Sequence, residues 1–324
     1  MKNQSITFIL AIDAGGTKTL GLLKCLGTEQ TWSKRTASAS LSHDLDKSCK
    51  RIDELAKALL IEASCDAKNT LLVCGVAGGG NHLKRQSLFE RLSLSFPKVR
   101  IYNDGITSLY GAGRGKPVIV LAMGTGSIAT RLDDRGTVSR FGGWGFTAGD
   151  LGSGAYMGKQ LVSNALVQYD KRQIKCDILL SETISRLSNV AESEGDKPHL
   201  RMERGNENNE EENTNQAIAN WIQTATATEY ASFAPLIFEY AEQSEYAIKI
   251  INDAAYWIED LARTAGFKSK EFGDLDIVII GGLSQAIKPY LSDNLSNALI
   301  PAKGSSLDGA IYIGEKILKV NTIL

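Results

Sequence analysis

The sequence predicts an α/β fold of two lobes that face each other across a cleft, and two observations support this prediction. Apolar runs typical of strands alternate with amphipathic helices, which indicates an α/β layer with ligands bound at the carboxyl ends of the strands. A strand, a glycine-rich turn and a second strand also occur twice, roughly a hundred residues apart, and such internal duplication is a signal of the whole fold rather than of one motif.

The first copy of this pattern lies near the start of the chain, over Phe8–Leu23. An apolar run ends in Asp13, Gly15-Gly16 forms a tight turn, and Thr17-Lys18-Thr19 opens the next apolar run. Glycine permits positive φ and close approach of a ligand, and the hydroxyls and freed N–H groups of such a turn bind anions. Asp13 could hold a hydrated divalent cation beside a nucleotide's terminal phosphates, although a Gly-Gly pair is more often only a hairpin turn.

The second copy begins with the apolar run Val118–Met123. The turn Gly124-Thr125-Gly126-Ser127 is again rich in glycine and hydroxyl groups, and Ile128–Leu132 reads as the following strand, with a third strand beginning over Gly136–Arg140. Two such hairpins on opposite sides of a cleft would hold the phosphates of one nucleotide from both lobes.

Other elements follow from hydrophobic period and turn residues. Strands are predicted at 29–35, 70–77, 99–103 and 276–280, and helices at 45–59, 81–94, 153–169 and from 306. Helices also dominate from 217 to about 266, whereas residues 191–216 are acidic and poor in apolar side chains, which predicts a solvated loop. The strand ending at Asn103 delivers Asp104, and the strand ending at Ile280 is followed by Gly281-Gly282, where an adenine ring could lie close to the backbone.

A glycine-rich segment at 141–155 contains Gly142, Gly143, Trp144 and Asp150. Asp150 can be the N-cap of the helix that follows, a carboxylate that binds polar groups of a ligand, or both. Trp144 is either an apolar wall for a ligand or a core tryptophan.

Composition excludes several classes of protein. The 324 residues suggest two domains, and 43% hydrophobic and 23% charged residues are ordinary for a globular chain. A net charge of −1 gives no electrostatic reason to expect nucleic acid or an anionic membrane as partner. Residues 1–5 do not resemble a signal peptide, and five scattered cysteines without a C-x-x-C pair indicate reduced thiols, so we expect a cytoplasmic protein.

The ordered set of motifs resembles the sugar kinase, actin and heat-shock ATPase superfamily. Within it the chain is similar to the N-acetylglucosamine kinase and glucosamine kinase group, which shares a family with BadF/BadG-type ATPases. The resemblance rests on these segments: Asp13-Ala-Gly-Gly-Thr-Lys-Thr19, Gly75-Val-Ala-Gly78, Asn103-Asp104, Gly124-Thr-Gly-Ser127, Gly142-Gly-Trp-Gly145, Gly149-Asp-Leu-Gly-Ser-Gly154, Ile280-Gly-Gly-Leu283 and Leu307-Asp-Gly-Ala310.

The resemblance implies two ribonuclease-H-like lobes, an N-terminal one over 1–116 and a C-terminal one over 117–324, around a central nucleotide cleft. It also implies ATP and Mg2+ as cofactors, transfer of the γ-phosphate to the 6-hydroxyl of an amino sugar, and a homodimer. Nucleotide-binding positions would be Asp13 (holding Mg2+ through water), Gly15, Gly16, Thr17, Lys18, Gly124, Thr125, Gly126, Ser127, Gly281 and Gly282. Substrate-binding positions would be Ser40, Asn103, Asp104, Gly142, Gly143, Trp144 and Asp150.

Asp104 is the expected catalytic base, because it matches the family aspartate that accepts the proton of the attacking hydroxyl. The alternative interpretation is a turn carboxylate, which is common in Asn-Asp-Gly. Ser40 stands where human-type N-acetylglucosamine kinases carry an Asn, Leu151 where the family carries a Glu, and Phe141 where the vertebrate form carries a Cys. These differences leave open whether the substrate is N-acetylglucosamine, glucosamine or another hexose.

Two other functions fit the same resemblance. One is an ATPase that activates a partner dehydratase, for which the scattered cysteines offer no iron–sulfur site. The other is a regulator that binds sugar without phosphorylating it; such proteins usually carry a preceding DNA-binding domain, and this chain starts at the first strand and keeps Asp104.

Overall fold

The computed structural model of the chain describes residues 6–41, 44–194, 207–268 and 275–320. These residues form two sheets with helices on their faces, which confirms the predicted α/β class. Residues 1–5 and the central part of the acidic stretch, 195–206, lie outside the described residues.

The first sheet has five strands in the order β3-β2-β1-β4-β5. Strands β1, β2 and β3 form an antiparallel meander, and β4 and β5 continue the sheet parallel to β1. The carboxyl ends of β1, β4 and β5 therefore meet at one edge. The strand bounds are β1 Phe8–Ala14, β2 Lys18–Cys25, β3 Thr31–Ala37, β4 Thr70–Val76 and β5 Lys98–Asn103.

The second sheet has four strands in the order β8-β7-β6-β9. It repeats the opening of the first sheet, because β6, β7 and β8 form an antiparallel meander and β9 lies parallel to β6. The predicted duplication of strand, glycine turn and strand is thus confirmed. The strand bounds are β6 Val118–Met123, β7 Ser127–Leu132, β8 Val138–Gly142 and β9 Asp276–Ile280.

Twelve α-helices in the described ranges complete the fold. Their bounds are α1 Leu45–Glu62, α2 His82–Ser93, α3 Asp104–Gly113, α4 Gly154–Asp170, α5 Ile178–Glu194, α6 Glu207–Thr224, α7 Ala227–Ala231, α8 Ala234–Glu239, α9 Glu245–Thr264, α10 Ser284–Ile287, α11 Asp293–Ser296 and α12 Ser306–Val320. Helices α1 and α2 cover one face of the first sheet, and α4 to α9 build the large core on one face of the second. None of these helices combines the length and apolar character that crossing a membrane requires.

Helices α3 and α12 pack against each other and cover the remaining faces of both sheets. Ala310, Ile311 and Ile313 of α12 contact Ile9 and Ala11 of the first sheet. Helix α3 contributes Ile106 and Tyr110 to the same cluster, and Leu109 and Ala112 to the core on the second sheet. The final helix, which the sequence assigns to the lobe over 117–324, therefore packs on the first sheet because its apolar face complements β1.

The close approach of α3 and α12 depends on glycine. A Cβ on Gly309 would stand 1.9 Å from the carbonyl oxygen of Thr107, and one on Gly111 would stand 2.0 Å from that of Ser305. The hydroxyls of Ser108 and Ser306 are hydrogen-bonded at 2.9 Å across the same contact. Side chains at these two glycines would force the helices apart.

We expect Gly309→Val to lower the free energy of unfolding by about 3 kcal/mol, because the added atoms would overlap rigid backbone. Chemical denaturation measures this change. Lys319→Ala, at an exposed site of the same helix, is the control and should stay within about 0.5 kcal/mol of the parent protein. Equal effects of the two substitutions would contradict the tight contact.

The ends of the acidic stretch differ from their prediction as a loop. Residues 191–194 complete α5, and residues 207–216 lie in α6. The physical reason is that Ile218 and Trp221 are buried in the large core, which anchors α6, and glutamate has a good intrinsic helix propensity. Low apolar content therefore did not exclude a helix.

Candidate functional site

Two carboxylates lie at the carboxyl edge of the first sheet. Asp13 is next to Gly75 in the register of β1 and β4, and Asp104 directly follows β5 and opens α3. Burial raises the pKa of Asp13, the charge of Asp104 raises it further, and Lys18 opposes the rise. Burial also raises the pKa of Asp104, against the lowering effect of the Gly105 N–H that it accepts at 3.1 Å. The two acids are therefore close together and partly shielded from water.

The turn between β1 and β2, which we call the first turn (residues 15–18), leaves backbone donors available. The Gly15 N–H donates to the carbonyl of Lys18 at 3.0 Å, whereas the N–H groups of Gly16 and Thr17 have no acceptor among the described residues. A Cβ on Gly16 would meet no atom within 4 Å. This turn can therefore receive an anion against its backbone.

The second turn (residues 124–127) has the same property. The Gly124 N–H donates to the carbonyl of Gly126 at 3.0 Å, and the N–H groups of Thr125 and Gly126 lack acceptors within the described part of the chain. The start of α4 supports the turn from behind, because Gly154 donates to Gly124 at 2.8 Å. A Cβ on Gly124 would again meet open space.

A third turn follows β9 and packs beside the second. Gly281 has a φ of +102°, and a Cβ there would stand 2.2 Å from the carbonyl oxygen of Met123. The N–H of Leu283 donates to the same carbonyl at 3.1 Å. Gly282 is exposed and faces open space, so a flat ring could lie against the backbone at this point.

The glycine-rich segment after β8 is joined to the second turn. Gly142 and Gly143 have φ values of +67° and +66°, and the Gly143 N–H donates to the carbonyl of Ser127 at 3.0 Å. Trp144 is 81% exposed, which excludes the alternative of a core tryptophan. The guanidinium of Arg140 lies 5.9 Å from the centre of its indole ring, and the same side chain donates to the carbonyl of Gly143. Trp144 is thus an exposed aromatic surface on a defined loop.

Asp150 faces the second turn and does not cap α4. The N-cap is Ser153, whose hydroxyl accepts the N–H of Tyr156 at 3.2 Å, so the interpretation of Asp150 as N-cap is wrong. The left-handed backbone of Asp150, with φ of +54°, places its carboxylate oxygen 2.7 Å from the point where a Cβ on Gly126 would stand. Gly149 and Asp150 thereby connect the Trp144 loop with the second turn.

These three turns and their carboxylates lie within a single match to a known family. The model of the BadF/BadG/BcrA/BcrD ATPase family matches residues 10–314. The chain belongs to this family. The match confirms the resemblance inferred from the motifs.

Curated relatives of this family member are named as amino-sugar kinases. The glucosamine kinase of Vibrio cholerae is 22% identical over 314 residues, covering 96% of this chain and 97% of the relative. The N-acetyl-D-glucosamine kinase of Dictyostelium discoideum is 24% identical, covering 92% and 96%. The N-acetylmuramic acid/N-acetylglucosamine kinase of Clostridium acetobutylicum is 27% identical over 169 residues, and this match spans only 55% of that relative.

Solved structures support the same fold. A provisionally named N-acetylglucosamine kinase from Chromobacterium violaceum aligns with a TM-score of 0.72 and 25% identity, covering 94% of this chain and 98% of that one. A provisionally named N-acetylglucosamine kinase from Porphyromonas gingivalis aligns with a TM-score of 0.59 and 18% identity, covering 95% and 99%. The predicted fold of two actin-like ATPase lobes is confirmed.

The side chains of some predicted site residues form hydrogen bonds within the protein. The hydroxyl of Ser127 is buried and donates to the carbonyl of Leu151 at 2.8 Å. Ser40 is also buried, with its hydroxyl 3.4 Å from the carbonyl of Ala77. Asn103 accepts the Gly105 N–H at 2.8 Å and caps α3. The side chains of Ser40 and Ser127 are therefore buried. If these residues contact a ligand as predicted, they do so through their backbone atoms.

Sequence reasoning missed Ser38 and Arg51. The Ser38 hydroxyl donates to the carbonyl of Gly15, in the first turn, at 3.1 Å, and Arg51 of α1 donates to the carbonyl of Ser38. The polar run around Ser38 was visible, but nothing in the sequence tells which of its hydroxyls reaches the turn.

Proposed function

We propose that the protein is an ATP-dependent kinase that phosphorylates the 6-hydroxyl of N-acetylglucosamine or glucosamine. One observation carries the proposal: a half-buried pair, Asp13 and Asp104, stands at the strand edge beside a turn with unbonded N–H groups. The named activities of the curated relatives support an amino sugar as acceptor.

Each acid has a separate role in this proposal. Asp104 accepts the proton of the sugar hydroxyl, and its raised pKa makes it a stronger base than an exposed carboxylate. The N–H groups of Gly16, Thr17, Thr125 and Gly126 bind the phosphate oxygens of ATP. Because phosphoryl transfer is catalysed mainly by positioning and charge neutralisation, these few groups are sufficient.

The residues at the edge also fit magnesium. Asp13 and Asp104 are oxygen donors. Burial and then the negative charge of Asp104 raise the pKa of Asp13, and a nearby divalent cation would relieve the repulsion between the two carboxylates. Asp13 would hold the ion through water. When bound, magnesium neutralises charge on the phosphates and polarises the transferred group.

The sugar would lie between Asp104 and the Trp144 loop. The exposed indole supplies an apolar face for the ring, and Asp150 and the backbone of Gly142 and Gly143 offer polar partners for its hydroxyls. Closure of the two lobes would exclude water from the γ-phosphate.

We expect Trp144→Ala to raise the KM for the sugar about tenfold and to leave the KM for ATP unchanged. The melting temperature should stay near that of the parent protein, because the side chain is exposed. Initial rates at varied sugar and varied ATP separate the two constants. An unchanged KM for the sugar would remove Trp144 from the proposed site. Tyr256→Ala, at another exposed aromatic residue, is the matched control.

A coupled ADP-release assay tests the function. ATP and magnesium are offered with N-acetylglucosamine, glucosamine, N-acetylmannosamine, glucose or no sugar. We expect ADP release that depends on one amino sugar. Release equal to the blank with every sugar would overturn the proposal and favour an ATPase that serves a partner protein, or a sugar-binding regulator.

A further inference from the structure

The short loop that follows β3, residues 38–41, is fixed by side chains from two helices. Arg51 of α1 donates to the carbonyl of Ser38, Ser48 of α1 donates to that of Ser40 at 2.9 Å, and Lys84 of α2 donates to that of Leu41 at 2.7 Å. Arg51 and Lys84 are half-buried, and neither forms an ion pair with a carboxylate of the described residues. Two cationic side chains thus donate hydrogen bonds to backbone carbonyls of one loop.

The loop reaches the first turn through a single hydroxyl. Ser38 Oγ donates to the carbonyl of Gly15 at 3.1 Å. No hydrogen bond within the described ranges joins the Lys18 N–H to this carbonyl, although that bond is common in a tight hairpin. The Ser38 hydroxyl therefore donates to the Gly15 carbonyl in place of the Lys18 N–H.

The direction of this contact determines where the next N–H points. The Gly15 carbonyl and the Gly16 N–H belong to one planar peptide unit and point in opposite directions. Fixing the carbonyl toward Ser38 therefore directs the Gly16 N–H away from the loop. This N–H has no acceptor among the described residues, and a Cβ on Gly16 would meet no atom within 4 Å. A bonded carbonyl also polarises the N–H of its own peptide and makes it a better donor.

We propose that Arg51 and Ser38 are positioning residues that hold the Gly15–Gly16 peptide in the orientation that binds a phosphate of the nucleotide. This inference rests on the proposed function for the identity of the anion. Arg51 holds the 38–41 loop in place, and the Ser38 hydroxyl of that loop orients the Gly15 carbonyl. The Gly16 N–H then points toward the anion and donates to it. Neither side chain touches the ligand.

Direct binding of ATP in the presence of magnesium tests this chain of contacts from Arg51 through Ser38 to Gly15, which we call the relay. The measurement does not require a sugar. Titration calorimetry is carried out on the full chain and on Ser38→Ala, Arg51→Met and the double variant. We expect each single variant to weaken ATP binding about tenfold, the worth of one hydrogen bond. The double variant should bind ATP as tightly as the single variants, because both substitutions interrupt the same chain of contacts from Arg51 through Ser38 to Gly15.

Arg85→Met is the matched control, because Arg85 of α2 donates to the carbonyl of Gly79 at 2.9 Å and does not reach the first turn. It should bind ATP like the parent protein. With the preferred sugar, Ser38→Ala should raise the KM for ATP while kcat and the KM for the sugar change less than about twofold.

Unchanged ATP affinity in Ser38→Ala, or equal weakening in Arg85→Met, would overturn the relay. Ser38→Ala alone carries the test if Arg51→Met does not fold. If no sugar supports ADP release, the proposed kinase fails, whereas the comparison of ATP affinities still decides whether Ser38 and Arg51 orient the turn.

Discussion

Replacing Asp104 by Asn should reduce kcat about 10³-fold and leave ATP binding within a factor of two. The asparagine keeps the shape and can still accept the Gly105 N–H through its carbonyl oxygen, but it cannot take a proton from a sugar hydroxyl. Steady-state rates with the preferred sugar and calorimetric titration with ATP measure the two quantities.

The same variant should be more stable than the parent protein at neutral pH. Burial raises the pKa of Asp104, so the folded state binds this proton more tightly than the unfolded chain. Stability is therefore lost as pH rises from the ordinary carboxyl pKa through the raised one, and an ionised Asp104 costs stability at neutral pH. Asparagine removes this cost, so the melting temperature should rise at pH 7 and change little at pH 3.

Asp253→Asn, at an exposed site on α9, is the control for loss of one negative charge. It should change neither kcat nor the melting temperature. The acid limb of kcat/KM should also lie above the pH expected for an exposed carboxylate, because deprotonated Asp104 is the active form. Turnover retained by Asp104→Asn would defeat its assignment as the base.

Replacing Gly124 by Val should weaken ATP binding about 100-fold while the protein still folds. A Cβ at Gly124 meets no protein atom within 4 Å, and its φ lies outside the left-handed region, so the backbone can accept a side chain. The added atoms would occupy the space in which we place a phosphate. Loss of an anion contact without loss of stability is the specific signature of this site.

Thermal melting with and without ATP and magnesium measures both parts of this prediction. The variant should melt near the parent protein without ligand, and ATP should no longer raise its melting temperature. Gly281→Val should behave differently, because its side chain would overlap the Met123 carbonyl and lower stability in the absence of ligand. Parent-like ATP stabilisation of Gly124→Val would show that the second turn does not bind phosphate.

The sequence predicted both glycine turns and the position of Asp104, because these features depend on local order. A strand that ends in Asp or Gly places that residue at the sheet edge wherever the strand packs. Helix α3 was missed, although Asp104 begins it. Its glycines weaken the helical signal, and the helix is stabilised by tight packing of Gly111 against Ser305, which is distant in sequence.

The roles of Ser40 and Asp150 could not be read locally. Whether Ser40 faces the cleft depends on the path of the 38–41 loop, which is set by Arg51 and Lys84 on two helices. Asp150 and Ser153 are both acceptable N-cap residues by type, and the helix uses Ser153 while Asp150 has a left-handed backbone. Side-chain direction in loops is a tertiary property, and the sequence predicts it only where a turn type requires it.

The position of the transferred phosphate tests the central claim most directly. Wild-type protein is incubated with ATP, magnesium and the preferred amino sugar, and the product is examined by phosphorus and carbon NMR. We predict a sugar 6-phosphate, formed by the parent protein and at a rate lower by about 10³ by Asp104→Asn. Inorganic phosphate as the sole product, or equal yields from the two proteins, would contradict an amino-sugar kinase that uses Asp104 as its base.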